Sequence, residues 1–298
     1  MQNQPKVTDP DWTIIKILQW TTSYFRSNVI DSPRSTAEIL LAHTLGLKRI
    51  DLYLRYDQPL VRSELDCFRA LIKRRINREP VAYIVGLKEF WNIELTVTRE
   101  VLIPRPETEC LVEEALSALS KESFYSPKRV LEVGTGSGAI ILALASERPE
   151  HNYFASDISV KAVLLALKNA EKQRLDKKIC FFCGNWFLPL KGKDRLFDMV
   201  LSNPPYIRKD DINSLQPEIS RFEPLVALDG GEDGLFQIRN IINSVHRFLN
   251  SKGYLIIEIG HDQKEAVYKV AEETGCYQDV YFRKDYSGFD RIICMQKR

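Results

Sequence analysis

The sequence predicts a doubly wound α/β sheet carried behind a small helical bundle, and three observations lead there. From about residue 129 to the C-terminus, short apolar strand-like runs alternate with stretches of helical period. The first of those strands runs straight into a glycine-rich turn, Val133-Gly-Thr-Gly-Ser-Gly138. Before residue 80, by contrast, the apolar spacing is helical.

In order along the chain, Ile14, Ile15, Leu18, Thr22 and Phe25 mark one amphipathic helix, and Ala37, Leu40, Leu41, Thr44 and Leu45 a second. The second is expected to open at Pro33 with a Ser35-x-x-Glu38 capping box and to stop at Gly46. Leu65, Phe68, Leu71, Ile72 and Ile76 mark a third helix, ended by Pro80. Residues 90–98 alternate as a half-buried strand does, and Leu102-Ile-Pro-Arg-Pro-Glu-Thr-Glu109 leads into a helix at 107–119. Strands are then expected at 129–133, 153–156, 179–183, 197–201, 254–259, 280–282 and 291–295, with helices at 138–147, 159–174, 233–249 and 262–274. This divides the chain into a helical recognition domain (1–80), a hairpin linker (81–106) and a catalytic domain (107–298). Ligands are expected at the carboxyl ends of the strands.

Composition narrows the function. The 298 residues are 44% hydrophobic, which excludes a disordered or fibrous chain. Lys and Arg number 42 against 40 Asp and Glu, a balance too even to hold duplex nucleic acid by charge. The slight basic excess lies before residue 101, densest at Lys73, Arg74, Arg75 and Arg78, which reads as a solvated helix face or a dock for an acidic or RNA-associated partner. Six scattered cysteines lack the spacing of a disulfide framework and fit a reducing cytoplasm. Cys180 and Cys183 form a C-x-x-C, but within what reads as a buried strand, where positions i and i+3 face opposite ways. His43, His151, His246 and His261 show no metal-ligand spacing. The start, Met1 to Lys6, has no apolar stretch of leader type, and no run approaches the length of a membrane span.

Two segments carry chemistry. In the turn after the first α/β strand, glycines let the backbone approach a ligand beside a helix N-terminus. Gly134, Gly136 and Ala139 also satisfy the dinucleotide pattern, and Asp157, 19 residues after Gly138, suits ribose hydroxyls. These residues leave NAD and S-adenosylmethionine equally open. The second segment, Ser202-Asn-Pro-Pro-Tyr206, follows the strand at 197–201. Its prolines fix φ, so the Asn203 side chain and the Pro204 carbonyl can converge as two acceptors for a planar NH2 group, with the Tyr206 ring as a surface against it.

Here the sequence resembles enzymes that methylate planar nitrogens with S-adenosylmethionine. Within them it is similar to the protein-(glutamine N5) methyltransferases of peptide chain release factors, the HemK/PrmC family. The resemblance covers nearly the whole chain, through Gly86-Leu-Lys-Glu-Phe90, Leu102-Ile-Pro-Arg-Pro-Glu-Thr-Glu109, Leu131-Glu-Val-Gly-Thr-Gly-Ser-Gly138, Asn185-Trp-Phe187, Asn203-Pro-Pro-Tyr206 and Arg221-Phe-Glu-Pro224. It implies a Rossmann-like methyltransferase sheet and a release factor as partner. It also implies transfer to the glutamine of that factor's Gly-Gly-Gln motif by a cytoplasmic enzyme of translation termination. By the same resemblance Gly134, Thr135, Gly136, Ser137 and Gly138 wrap the methionyl and ribose parts of the cofactor, Asp157 the ribose diol and Trp186 the adenine. Asn203 borders both cofactor and substrate, and Pro204, Pro205 and Tyr206 complete the substrate clamp. Asn185 departs from the family's usual Asp, which leaves its adenine contact unassigned.

Rival readings meet specific objections. A DNA or RNA adenine-N6 methyltransferase also handles a planar NH2 but should carry a basic channel, whereas the residues after 100 hold 27 basic and 28 acidic side chains. A ribosomal-protein glutamine methyltransferase is the nearer relative. By the same resemblance, Phe222 in Arg221-Phe-Glu-Pro224 and the N-terminal domain lean toward release factors. An NAD dehydrogenase leaves Asn203 to Tyr206 unexplained, and an inactive adaptor leaves both motifs so. A monomer without membrane or direct nucleic-acid partners is expected.

Overall fold

The computed structural model describes residues 8–121, 126–190, 192 and 194–298, so the start examined for a leader lies outside the described residues. Among the described residues no helix is long and apolar enough to cross a membrane. The chain forms two compact units, one of residues 1–86 with 217–222 and one of 87–216 with 223–298.

The helical unit runs β1 (Thr8–Thr13), α1 (Ile14–Ser27), α2 (Pro33–Leu45), α3 (Arg49–Leu54), β2 (Pro59–Val61), α4 (Arg62–Ile76) and α5 (Val81–Val85). Its core is the apolar spacing read from the sequence: Ile14, Leu18, Phe25, Leu40, Leu41, Phe68 and Ile72 are buried together. Several local expectations need correction. Ser35 lies inside α2, whose N-cap is Ser32, and Glu38 is buried, taking hydrogen bonds from Arg34, Arg49 and Tyr53 in place of a capping box. Pro80 does not merely end a helix; it stands at the N-cap of α5.

The second unit continues through β3 (Leu87–Phe90), β4 (Ile93–Thr96), a single 3-10 turn at Pro106–Thr108, α6 (Glu109–Lys121), β5 (Arg129–Val133), α7 (Ala139–Glu147), β6 (Asn152–Asp157), α8 (Val160–Lys172), β7 (Ile179–Cys183) and β8 (Phe197–Ser202). After α9 (Pro217–Ser220), which belongs to the helical unit, come α10 (Phe236–Val245), β9 (Leu249–Glu258), α11 (Lys264–Thr274), β10 (Tyr277–Lys284) and β11 (Asp290–Lys297). Seven of these strands pair in the order β10-β11-β9-β8-β5-β6-β7, parallel from β9 to β7 with β11 and β10 antiparallel at one side. Both faces are covered, as a parallel sheet requires. Val130, Met199, Leu201 and Ile256 pack on one face with α6 and α7, and Leu131, Val133, Val200 and Leu255 on the other with α10 and α11.

Within the stretch expected to form a hairpin, the strand read at 90–98 is shorter, β4, and pairs with β3 across a turn at Trp91 with φ +53°. No glycine announces that turn. Its strain is offset by contacts that fix Trp91: its backbone N–H donates to Glu109 (2.8 Å) and its indole to Glu147 (2.8 Å). The hairpin falls in the second compact unit. Asn169 of α8, fully buried, accepts from the Thr96 N–H (2.8 Å) and donates to the carbonyls of Thr96 and Ser137 (3.0 and 2.9 Å). The helix expected at 233–249 is shorter, because Gly234 (φ +75°) precedes its start and Leu249 already pairs with Phe197 in the sheet. β7 is an edge strand, so Cys180 and Cys183 are exposed and the strand is not buried.

The basic cluster of α4 is largely consumed inside the helical unit. Arg74 pairs with Glu79 (2.8 Å), Arg78 donates to the Val29 carbonyl (2.7 Å), and Arg75, only 4% exposed, pairs with Glu218 (2.9 Å). Only Lys73 of the four is exposed, so a fully solvated helix face does not describe them. Breaking a buried pair from one side strands the remaining charge, at about 3–5 kcal/mol. Glu218→Ala is therefore expected to destabilise the helical unit by about that amount in urea unfolding followed by circular dichroism. The double variant Arg75→Met with Glu218→Leu should recover most of the loss.

Candidate active site

In an open α/β sheet, loops leaving adjacent strands in opposite directions leave a crevice at the carboxyl ends. Here β5 lies between β6 and β8, and the segments that follow β5 and β8 are the glycine turn and Asn203-Pro-Pro-Tyr206. Ser202 Oγ donates to the Val133 carbonyl (2.8 Å), pinning the two strand ends together. The crevice is a cavity of about 720 Å³.

The glycine turn is held from below. Backbone N–H groups of Gly134 and Thr135 donate to the Ser156 carbonyl (2.8 and 2.9 Å), and the Thr135 hydroxyl donates to Glu132 (2.6 Å). Gly134, Thr135, Gly136 and Ser137 line the cavity. Gly134 has φ +75°, and a Cβ there would reach 3.7 Å from the Trp186 ring, into the space between turn and indole. Gly138 does not line the cavity. A Cβ on it would meet Leu142 and Ala166 at 3.1 and 3.2 Å, so it serves the close packing of α7 on α8.

Asp157 ends β6 on the cavity wall. Its Oδ2 accepts from the Gly136 N–H and its Oδ1 from the Ser159 N–H, both at 2.9 Å. Each oxygen keeps a further lone pair for a ligand hydroxyl. Burial raises its pKa, and those N–H bonds oppose the rise. Trp186 also lines the cavity, its indole N–H donating to Gln237 (3.0 Å), and Asn185 stands beside it on the wall. A glycine cradle, an acid with free lone pairs and an aromatic wall around one cavity fit a nucleoside cofactor with a ribose diol.

Of the clamp residues, Asn203 and Pro205 line the cavity, and Pro204 and Tyr206 are not among its lining residues. Asn203 Nδ2 donates to Thr108 Oγ1 (3.1 Å), and among the described residues no donor pairs with its Oδ1 or with the Pro204 carbonyl. Tyr206 is not the open platform that its place in the sequence suggests. Its hydroxyl donates to Glu258 (3.2 Å) and its carbonyl accepts from Gln263 (2.9 Å), which fastens the turn. Arg105 and Glu223, from two of the motifs quoted above, pair at 2.6 Å.

Three residues here escape the sequence reading. Glu132, Glu258 and Thr108 are buried; the first lies beneath the glycine turn and the last on the wall. A lone acid inside an apolar strand, as in Val130-Leu-Glu-Val133 or Leu255-Ile-Ile-Glu258, is the signal that could have found two of them. Burial pushes the Glu132 pKa up to about 8 and that of Glu258 to about 7, against the hydrogen bonds each receives.

The residues from the first strand of this site to β11 match a methyltransferase domain over 125–294, and residues 16–86 match a PrmC N-terminal domain. Fold and site thus define an S-adenosylmethionine-dependent methyltransferase of Rossmann-like architecture. A methyltransferase from Pyrococcus furiosus superposes with a TM-score of 0.51 at 16% identity over 77% of this chain and 97% of that one, which supports the fold alone. The release factor glutamine methyltransferase of Geobacter sulfurreducens is 40% identical over 98% of both chains. That of Escherichia coli is 41% identical over 88% of this chain and 91% of its own. The chain belongs to the release factor glutamine methyltransferase family.

Glu132 makes stability depend on pH in a stated direction. Its folded pKa lies above the unfolded one, so the folded state keeps a proton that the unfolded chain releases. The stability linked to that proton is fully present below about pH 4.5 and is lost as the pH rises to about 8. In thermal melts without ligand, Glu132→Gln should gain stability relative to wild type between pH 5 and about 8.5. Parallel curves for the two proteins would contradict the burial-raised pKa.

Proposed function

We propose that the enzyme transfers the methyl group of S-adenosylmethionine to the side-chain amide nitrogen, N5, of the glutamine in the Gly-Gly-Gln motif of class-I peptide chain release factors. The observation that carries this reading is Asn203. It sits on the wall of the cavity lined by the glycine turn and Asp157, with Nδ2 engaged and Oδ1 open. The family relationship supplies the substrate class.

The backbone from Gly134 to Ser137 would follow the methionyl and ribose parts of the cofactor, Asp157 would accept from the ribose diol, and Trp186 would face the adenine. Hydrogen bonds to a carboxylate contribute about 1.5–3 kcal/mol, and an aromatic against a base about 1–3 kcal/mol. When bound, the cofactor supplies an electrophilic methyl group on a sulfonium. The protein supplies orientation. An amide nitrogen is a poor nucleophile because its lone pair is delocalised into the carbonyl. Asn203 Oδ1 and the Pro204 carbonyl, each accepting one N–H of the glutamine, draw electron density onto that nitrogen. They also stabilise the positive charge that grows there as the methyl arrives. Positioning of this kind contributes roughly 7–11 kcal/mol to lowering a barrier. Pro205 closes the wall beside the amide, and Tyr206 keeps the turn rigid through Glu258 and Gln263.

We assign recognition of the whole factor to the helical unit, which contributes no residue to the cavity wall. Six free cysteines are in keeping with the cytoplasm, where translation ends. Incubating the purified protein with S-adenosylmethionine and a release factor, then mapping the added methylene by peptide mass spectrometry, tests the reading. The Gly-Gly-Gln glutamine is the expected site. Modification only of a ribosomal protein or of nucleic acid would replace the reading.

Asn203→Ala is expected to lower the single-turnover rate about 10²-fold or more with cofactor saturating, since one of two oriented acceptors is lost. A rate within about threefold of wild type would reduce the Asn-Pro-Pro-Tyr segment to an ordinary turn. Asp157→Ala should weaken cofactor binding roughly 10²-fold in calorimetry, and Asp157→Asn less so. Unchanged affinity would leave Asp157 as only a support for the backbone around it.

A further inference from the structure

An indole facing a nucleobase fixes the plane of the base and leaves its edge unread. Stacking is tolerant, because every base has a π face. Selection of one base needs a few polar groups placed at the rim of that plane.

The wall beside Trp186 is the polar side of α10. Ile238, Ile241, Ile242 and Val245 turn one side of that helix into the core. Gln237, Asn240 and Ser244, spaced by three and four, share the side that lines the cavity. They carry two amides and a hydroxyl, groups suited to the rim of a neutral heterocycle. Trp186 is held in place next to them. Its φ of +47° is uncommon for a bulky residue, and the neighbouring Phe187 is buried in a stack on Phe248 with ring centroids 5.2 Å apart. A Cβ built on Gly134 would lie 3.7 Å from the Trp186 ring, so the indole and the glycine turn border the same part of the cavity.

The hydrogen bond between Trp186 and Gln237 decides which end of the glutamine amide is free. An indole N–H only donates, so the atom it meets at 3.0 Å must be the amide oxygen, Oε1. Nε2 then remains as a donor with two protons. It has no hydrogen-bond partner among the described residues, and the side chain is half-buried on the cavity wall.

We propose that Gln237 is a cofactor-binding residue that reads the edge of the adenine, its Nε2 donating to one ring nitrogen of the base while Trp186 faces the ring. The inference rests on the cofactor placement given above and adds the contact that selects the base. A ring nitrogen stripped of water and left unpaired costs affinity, and a donor already oriented by the indole removes that cost.

Two substitutions separate reading the base from supporting the indole. Gln237→Glu keeps an oxygen for the Trp186 N–H but, ionised at about pH 7.5, has no proton to give the base. Gln237→Met removes both functions at similar length. Binding of S-adenosylhomocysteine is measured by calorimetry, with melting temperatures to show that each variant is folded. Both variants should bind about tenfold more weakly than wild type, the size expected of one neutral hydrogen bond. The 1-deaza, 3-deaza and 7-deaza analogues each replace one ring nitrogen with C–H. One of the three should bind wild type about tenfold more weakly and the variants within about twofold of wild type, whereas the other two should repeat the tenfold difference.

A Gln237→Glu variant within about threefold of wild type for the parent ligand would leave Gln237 as a support for the indole alone and overturn its role as a reader. Equal losses by the variants on all three analogues would overturn it as well. A wild type that binds neither S-adenosylmethionine nor S-adenosylhomocysteine overturns the cofactor placement itself, and the role of Gln237 with it.

Discussion

The hydrogen bond from Ser202 Oγ to the Val133 carbonyl joins the ends of two neighbouring parallel strands, and the chemistry of the catalytic unit is arranged around that junction. It is a tertiary bond between side chain and backbone, placed where the sheet ladder of β5 and β8 has run out. Because strand pairing fixes β5 against β8, the glycine turn and the asparagine that follows Ser202 have no freedom to drift apart. A cofactor cradle and an amide clamp need that constraint, since positional error at the reacting atoms costs rate steeply. The pin also explains why irregular backbone is tolerated here. Three glycines of the turn have positive φ, and each is anchored by bonds into β6, α7 or the turn itself.

The walls around this junction concentrate buried acids. Glu132, Glu223 and Glu258 are all nearly inaccessible, and burial raises the pKa of each. A fold selected for stability alone would replace such groups with apolar ones. Their placement under the glycine turn, beside Arg105 and beside Tyr206 suits another end: each fixes one hydrogen-bond donor, from Thr135, Arg105 and Tyr206 in turn. The site is rigid through polarity as much as through packing.

Legibility in the sequence follows the range of the forces involved. The glycine turn and Asn203-Pro-Pro-Tyr206 are readable because their function lies in backbone geometry that Gly and Pro dictate locally. The strands of the sheet are readable because burial on both faces makes them continuously apolar. What escapes depends on distant partners. The turn at Trp91 is compatible with its φ only because Glu109 and Glu147 receive its N–H groups, and nothing within residues 90–98 records that. Glu38 looks like a cap because its partners Arg49 and Tyr53 lie outside α2. The arginines of α4 look solvent-facing because Glu218 is 143 positions away in the chain. Thr108 carries no local mark at all, since its hydroxyl meets Asn203, 95 positions further along the chain.

The pairing of Arg75 with Glu218 has a further consequence, for the order in which the protein is made. The helical unit is discontinuous: it needs residues 217–222, and 130 residues of the other unit are synthesised in between. At roughly 5–20 residues per second, a ribosome leaves the first 86 residues waiting on the order of ten seconds for their missing piece. During that interval Arg75 has no counter-charge from Glu218, and its end of α4 stays open to water. Completion of the helical unit is thereby coupled in time to synthesis of β5 through β8, so a chain that stalls before residue 217 presents neither unit finished. Cutting the gene after residue 86 would reproduce that unfinished state permanently, which makes the helical unit a poor candidate for transplantation even though most of its sequence is contiguous.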